Sequence, residues 1–288
     1  MIYICADDYG LNNHMSARIQ ECVDQGALNK VSIFPNFDKL DLDQWRKNQN
    51  LSLSLHLNLV EGNCMADATK INLLADENGK LKHTFGGLFR LNLFESKKLE
   101  EQAYREIKAQ VLFWKSNLPK DAPFLIDSHQ HTHMIPAVFR ALVKVLKDEN
   151  IPLQYLRIPA EPVMPYLKTP SLYFTYSPVN LIKQWLLKLL WQKNKGLAKK
   201  HNIPTAYFFG ILFSGKMDEK RVKKVLPKYQ ELAEKKGRNI EILFHPGYFE
   251  KKETEFLQKN IVFSEFYFSQ NRKTEFDSVI NLSERGVF

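Results

Sequence analysis

Short apolar segments rich in β-branched and aromatic residues alternate along the chain with longer segments of helical periodicity, and this alternation constrains the fold most. Residues 2–6 and 240–244 are examples of the short segments, and residues 95–117 and 218–236 are examples of the long ones. Strands that alternate with helices of about ten or more residues form a mostly parallel sheet. The pattern therefore predicts an α/β fold and leaves open whether the sheet is a barrel or doubly wound.

The composition is that of an ordinary globular protein. The 288 residues carry a formal net charge of +9, and 44% are hydrophobic, which excludes disordered, collagen-like and coiled-coil chains. No repeat or linker divides the sequence, so we predict one domain over residues 1–288, with a loop or helix insertion near residues 159–204. The three cysteines lack the spacing of a disulfide framework, which is typical of a reducing compartment. Without a visible targeting segment or long apolar span, we expect a cytoplasmic protein.

Polar side chains with catalytic or ligand chemistry follow five of the predicted strands directly. These side chains are Asp7 and Asp8, His56 and Asn58, Asp127 with His129, His131 and His133, Arg157 with Glu161, and His245. The carboxyl ends of parallel strands share one face of an α/β sheet, and active sites are built on that face. Five clusters in equivalent positions therefore predict a single functional site.

The histidine-rich segment of residues 127–133 is the most specific of these clusters. We predict an extended chain here, and its three histidines then project to one side. With Asp8 and His56, one of them completes an Asp-His-His set that leaves coordination positions open for water and substrate. Asp127 is expected to orient a ligand histidine. A structural histidine cluster and an anion-binding pocket are the alternatives to this metal site.

Two other clusters have the chemistry of proton transfer. Side chains alternate along an extended chain, so Asp7 and Asp8 point to different sides, and one can bind a cation while the other holds a water. An Asp-Asp pair is also typical of a turn or a helix cap. His245 begins the turn His-Pro-Gly and can act as a general acid, although structural turns of this kind are common.

Taken in order, these motifs resemble those of the YdjC-like carbohydrate deacetylase family. The matching motifs are ADDYG at residues 6–10, LHLNL at 55–59 with Gly62, IDSHQHTH at 126–133 with Pro136, RIP at 157–159, EILFHPG at 241–247, and finally Arg272 with Glu275. They cover nearly the whole chain. The resemblance implies a single-domain, distorted TIM-like (β/α) barrel. It also implies metal-dependent removal of the N-acetyl group from an N-acetylated sugar, with release of acetate.

The resemblance further implies roles for individual residues. Asp8, His56 and His129 match the metal ligands of the family, and we expect them to hold a divalent ion, Zn²⁺ or Mg²⁺. Asp7 matches the general base, and His245 matches the general acid. The residues expected to bind the substrate are Asn58, His131, His133 and Arg157.

A basic segment at residues 181–195 predicts a further contact surface. One helical face carries Ile182, Trp185, Leu186, Leu189 and Leu190, and lysines lie off that face or follow it. Basic amphipathic helices with tryptophan can lie on membrane surfaces, which would suit a lipid-linked sugar. The alternatives are packing of the helix on the barrel and packing on a second copy of the chain in a homodimer.

Two other functions remain open from the residues alone. The same metal ligands can serve a hydrolase of another bond, such as a phosphoester, although no phosphate-binding loop is present. A barrel of this kind can also bind a sugar without catalysis, although the complete set of polar residues argues against that. The basic charge has no nucleic-acid-binding motif beside it, so we expect no nucleic-acid partner.

Overall fold

A computed structural model of the chain describes residues 1–37, 50–119, 121–248 and 270–288, together with the single residues 42, 45 and 48. Its strands are β1 (Ile2–Tyr9), β2 (Lys30–Ile33), β3 (Ser52–Leu57), β4 (Phe124–Ser128), β5 (Leu153–Leu156), β6 (Tyr207–Phe209) and β7 (Ile240–Phe244). They follow the order β5-β4-β3-β2-β1-β7-β6. The pairings β1–β7, β3–β4, β4–β5 and β6–β7 are parallel. The predicted α/β class, a distorted TIM-like barrel, is confirmed.

Helices separate the strands along the chain, as the sequence predicts. The α-helices are α1 (Asn13–Asp24), α2 (Phe85–Phe94), α3 (Ser96–Asn117), α4 (Pro136–Asp148), α5 (Met164–Leu167), α6 (Pro178–Lys200), α7 (Glu219–Lys236) and α8 (Gln270–Glu284). Short 3-10 turns lie at Ala68–Lys70, His129–Met134 and Pro170–Thr175. Within the described part of the chain, no helix has the length and apolar content needed to cross a bilayer.

Two compact units can be distinguished by their internal contacts. The first comprises residues 1–32, 159–186 and 206–288, and the second comprises residues 33–158 and 187–205. In the first unit, Ala6 of β1 pairs with Phe244 of β7, and both are fully buried. In the second, Leu55 of β3 pairs with Ile126 of β4, again fully buried. The single domain with an insertion near residues 159–204 stays a prediction.

Capping residues set the ends of several helices. Asn12 precedes α1, and its Oδ1 accepts hydrogen bonds from the backbone N–H groups of His14 and Met15. Asp218 caps α7 in the same way, and the helix ends at Gly237, whose φ of 58° suits a glycine. Residue types of this kind are readable in the sequence, which is why the ends of α7 lie close to their predicted positions.

The sequence predicts a loop over residues 72–87, but this segment contains the start of a helix. Helix α2 begins at Phe85, and Thr84 Oγ1 accepts a hydrogen bond from Gly87 N at 3.3 Å. Two adjacent glycines disfavour a helix in isolation, and they concealed it in the sequence. Burial of Leu88 supplies tertiary packing that the sequence pattern does not show.

Helix α6 is longer than the sequence predicts, and its apolar side chains point in two directions. Leu187 and Leu190 are buried, whereas Ile182 and Trp185 are 66% and 63% exposed. Of the predicted face, Ile182, Trp185 and Leu189 are exposed, whereas Leu190 at its edge is buried. Ile182 and Trp185 therefore lie on the surface of the molecule.

Candidate metal centre and active site

The first unit contributes a pair of aspartates at the end of β1. Asp7 and Asp8 are both 3% exposed, and Asp8 has a φ of 74°. A non-glycine residue in this left-handed region is strained and persists where other contacts hold it. Arg272 Nη2 donates to Asp8 Oδ2 at 3.0 Å, and Arg272 Nη1 donates to Gly247 O at 3.0 Å. A buried guanidinium of α8 thus positions the Asp8 carboxylate.

A histidine–carboxylate pair follows β7 in the same unit. The backbone N–H of His245 donates to Glu275 Oε2 at 2.7 Å, and His245 Nδ1 lies 3.5 Å from the same oxygen. Glu275 is fully buried, whereas the His245 side chain is 17% exposed. The sequence resemblance includes Glu275 without a role. Its contacts make it the group that positions the His245 imidazole.

Glu161, which the sequence groups with the polar clusters, holds a loop. Its carboxylate accepts hydrogen bonds from three successive backbone N–H groups, those of Gly210 at 2.5 Å, Ile211 at 2.7 Å and Leu212 at 3.0 Å. Burial raises the pKa of Glu161, and these hydrogen bonds act in the opposite direction. The residue therefore fixes the segment after β6.

Lys183 of α6 brings a positive charge towards the two aspartates. The side chain is half-buried, and burial lowers the pKa of its ammonium group. The charges of Glu161, Asp7 and Asp8 act on that pKa in the opposite direction. Sequence reasoning missed this residue, because a lysine in a basic amphipathic helix has the pattern of a solvated surface group.

The second unit contributes a histidine held by a carboxylate. His56 Nδ1 lies 2.6 Å from Asp127 Oδ1, and both side chains are buried. Asp127 Oδ2 accepts from Ser54 Oγ at 2.8 Å and lies 3.4 Å from Arg157 Nη2. Donation from Nδ1–H to a carboxylate selects the tautomer whose lone pair is on Nε2. This is the arrangement expected when Asp127 orients a ligand histidine.

The second histidine of this unit has a carboxylate neighbour that the sequence analysis missed. His129 Nε2 lies 3.2 Å from Glu61 Oε1, and the rings of His56 and His129 are 5.5 Å apart. Phe34 packs against both imidazoles, at 4.8 and 4.9 Å between ring centroids. Gly62 follows Glu61 with a φ of 74°, and a Cβ added there would lie 2.8 Å from a phenylalanine ring. Glycine is therefore required beside Glu61.

One group of buried side chains matches the predicted metal ligands. Asp8 in the first unit and His56 and His129 in the second are all buried, and each offers one ligand atom. One carboxylate oxygen and two imidazole nitrogens are suitable donors for Zn²⁺ and other divalent ions, and three protein ligands leave coordination positions open. The residues present fit a divalent metal, whose identity they leave open.

The histidine-rich segment has a different conformation from the one predicted. Strand β4 ends at Ser128, and His129–Met134 forms a 3-10 turn. Gln130 and His131 have φ values of 51° and 58°, in the left-handed region. The extended segment with three histidines on one side was therefore wrong, because the polypeptide turns immediately after the strand. Of the three, only His129 is among the predicted metal ligands.

His133 is held at both ring nitrogens by the protein. Its Nδ1 lies 2.5 Å from Ser128 Oγ, and its Nε2 lies 2.7 Å from Arg157 O. Burial lowers the pKa of His133 to about 4, so the imidazole is neutral at pH 7. These contacts give His133 a structural role in the turn. The expected contact with substrate stays a prediction.

The other residues expected to bind substrate are also buried. Asn58 organises the turn after β3, since its Oδ1 accepts from Val60 N at 3.0 Å and its Nδ2 donates to Glu61 O at 2.6 Å. Arg157 is fully buried beside Asp127, and His131 is 5% exposed. Their contacts with a sugar stay predictions.

The fold and these donors define a class, that of α/β barrel-type proteins with a buried carboxylate–imidazole group able to hold a divalent metal. A family model described as YdjC-like protein matches residues 1–283. The chain belongs to the YdjC-like family, as its motifs indicated.

Relatives with similar sequences carry one name. A protein of Danio rerio named carbohydrate deacetylase is 28% identical over 56% of this chain and 50% of its own length. One of Thermoanaerobacter pseudethanolicus with the same name is 24% identical over 69% of this chain and 78% of its own length. The chain thus spans about half the length of the Danio rerio relative.

A solved structure supports the fold over almost the entire chain. It is that of an Enterococcus faecalis protein named for cellobiose-phosphate cleavage, with a TM-score of 0.61 and 18% identity. The alignment covers 97% of this chain and 94% of the other. At this level of identity the likeness shows the shared fold alone.

Proposed function

We propose that this protein is a metal-dependent carbohydrate N-deacetylase that hydrolyses the acetamide of an N-acetylated amino sugar. The observation that carries the proposal is that the predicted ligands Asp8, His56 and His129 are all buried, in a chain of the YdjC-like family. The names of the relatives support sugar deacetylation as the reaction. The substrate is a chitooligosaccharide-like or lipid-linked sugar.

Asp8, His56 and His129 would hold the divalent ion. When bound, such an ion polarises the acetamide carbonyl and lowers the pKa of water, which the side chains cannot do themselves. Arg272 and Asp127 fix the orientations of Asp8 and His56, so that the ligand atoms are positioned in advance. Neighbours that orient ligands in this way preserve the geometry on which both metal affinity and turnover depend.

Proton transfers fall to two residues of the first unit. Asp7 accepts a proton from water as the water oxygen adds to the acetamide carbon. The carbon–nitrogen bond then breaks, and His245 donates a proton to the departing nitrogen, giving acetate and a free amine. Glu275 positions the His245 imidazole for this donation. Contacts with the sugar are assigned to Asn58, His131, His133 and Arg157.

Acetate release from N,N'-diacetylchitobiose by protein reconstituted with Zn²⁺ or Mg²⁺ tests the proposal. We expect release that depends on the metal and that falls by about 10²- to 10⁴-fold in Asp7→Asn, because a general base is lost. Asp67→Asn is the matched control, since Asp67 is an exposed aspartate in a cap at Ala68–Lys70. It is expected to leave the rate unchanged.

Full activity of Asp7→Asn would contradict the assignment of the base. Phosphate release from a sugar phosphate, without acetate release from any N-acetylated sugar, would contradict the deacetylase and support the phosphoester alternative. Both products can be measured in the same reaction mixtures.

A further inference from the structure

Exposed apolar side chains are concentrated in one stretch of the chain. Of fourteen exposed large hydrophobic residues in the described ranges, ten lie between residues 163 and 189. On α6, Val179, Ile182 and Trp185 are 70%, 66% and 63% exposed, and their spacing of three places them along one helical face. Phe174 in the preceding turn is fully exposed. We refer to the exposed residues of this stretch as the apolar surface.

The opposite side of α6 is tied into the protein. Asn180 Nδ2 donates to Ser214 O at 3.0 Å, and Gln184 Nε2 donates to Glu161 O at 2.8 Å. Further along, Asn194 Nδ2 donates to Met134 O at 2.7 Å. The orientation of the helix is thus fixed by polar contacts on one side, which leaves Ile182 and Trp185 directed to solvent. Exposed apolar side chains concentrated in this way are characteristic of an interaction site.

The stretch of chain that carries the apolar surface has charge of one sign, and its Lys168 pairs with the exposed side chain of Glu231 of α7 at 3.1 Å. From residue 162 to residue 217 the sequence contains eight lysines and no aspartate, glutamate or arginine. The acidic residue that precedes this stretch, Glu161, is fully buried. Lys193, Lys195 and Lys199 of α6 are exposed beyond the apolar half of the helix. The surface therefore combines apolar side chains, a tryptophan and a strong positive field.

We propose that the apolar surface docks on an anionic lipid membrane. Apolar side chains enter the boundary between headgroups and acyl chains, tryptophan is favoured at that depth, and lysines attract anionic headgroups. A second copy of the chain fits less well, because a symmetric contact through this surface would bring the lysines of both copies together. The inference stands independently of the proposed deacetylation.

Flotation with lipid vesicles tests the inference. Vesicles of phosphatidylcholine are compared with vesicles of phosphatidylcholine and phosphatidylglycerol at about two to one. We expect the protein to float with the anionic vesicles and to remain unbound with the neutral ones at physiological salt. The double variant Ile182→Glu/Trp185→Glu is expected to lower the bound fraction by about tenfold or more, because two membrane-inserting side chains become anionic.

Leu93→Glu/Phe94→Glu is the matched control. Leu93 and Phe94 are 58% and 78% exposed at the end of α2, and the double variant changes the net charge equally. It is expected to float like the unmodified protein. Thermal unfolding of both variants checks that they remain folded.

Two results would overturn the inference. The first is a folded protein that does not bind anionic vesicles, or whose binding the Ile182→Glu/Trp185→Glu variant leaves unchanged. The second is a dimer in sedimentation that this variant converts to a monomer, with no flotation of either form. That outcome would make the apolar surface an interface between copies of the chain.

Discussion

Two histidine–carboxylate pairs, one in each unit, differ in distance and exposure. His56 Nδ1 lies 2.6 Å from Asp127 Oδ1, and neither side chain is more than 1% exposed. His245 Nδ1 lies 3.5 Å from Glu275 Oε2, and the His245 side chain is 17% exposed. A histidine and a carboxylate therefore form a short, buried pair in one unit and a longer, more exposed pair in the other.

This difference indicates two kinds of chemistry. A short bond from a buried carboxylate fixes both the tautomer and the orientation of an imidazole, which suits a metal ligand. A partly exposed imidazole at a longer distance can exchange protons and reach a reacting group, which suits a general acid. The comparison therefore supports the proposed roles, metal binding for His56 and proton donation for His245, which the resemblance also implies.

The largest effect is expected for His245→Ala. Loss of the general acid should lower kcat by about 10²- to 10⁴-fold, while metal affinity remains unchanged. Steady-state kinetics and metal titration measure the two quantities. His201→Ala, in the segment after α6, serves as the control. A large loss of metal affinity in His245→Ala would remove the distinction between the two pairs.

A smaller effect on a different quantity is expected for Asp127→Asn. This change keeps the volume of the side chain but weakens its hold on His56, so that metal affinity should fall by about 10- to 100-fold. Competition with a chelator measures the affinity. Asp148→Asn, an exposed position at the end of α4, is the matched control. Unchanged metal affinity would contradict the role of Asp127.

The variant Glu275→Gln changes the carboxylate of the His245–Glu275 pair and keeps its histidine. The His245 imidazole remains but loses its orientation, so we expect kcat to fall by roughly tenfold. KM and metal affinity should stay unchanged, because Glu275 accepts hydrogen bonds from His245 and Met217, which are not proposed metal ligands. A rise in KM without a change in kcat would show that the pair serves substrate binding instead.

A third histidine, His133, is expected to affect a different quantity, the free energy of unfolding. Because burial lowers its pKa to about 4, the unfolded chain binds a proton near pH 6.5 that the folded protein does not. The contribution of His133 to the free energy of unfolding is complete above about pH 6.5. It falls by up to about 3 kcal/mol as the pH falls from about 6.5 to about 4. Urea unfolding across this range measures the loss. His133→Gln should have a shallower pH dependence, and an equal slope would contradict the assignment.

Much of the fold follows from periodicity and capping. Strand β7 lies at its predicted residues, and α3 begins one residue after its predicted start. The predictions are wrong where the backbone departs from regular geometry. Positive φ values at Gln130 and His131 have no signature in a pattern of alternating polar residues. The start of helix α2 at Phe85 depends on packing of Leu88 rather than on the intrinsic helix propensity of its residues.

The site could be predicted in part. Each ligand candidate lies near the carboxyl end of a strand or directly after it, which the sequence shows directly. The partners of those ligands come from distant parts of the chain, as with Asp8 and Arg272 or His129 and Glu61. Such pairings depend on how the strands are ordered, and strand order is not encoded in the spacing of residues along the chain.

Titration of metal-free protein with Zn²⁺, followed by measurement of acetate release from N,N'-diacetylchitobiose, tests whether the protein is a metal-dependent N-deacetylase. We expect activity to rise in proportion to bound metal and to reach its maximum at one ion per chain. The His56→Ala variant should bind the ion weakly and remain inactive. Full activity of the metal-free protein, or one bound ion without acetate release from any N-acetylated sugar, would contradict the account.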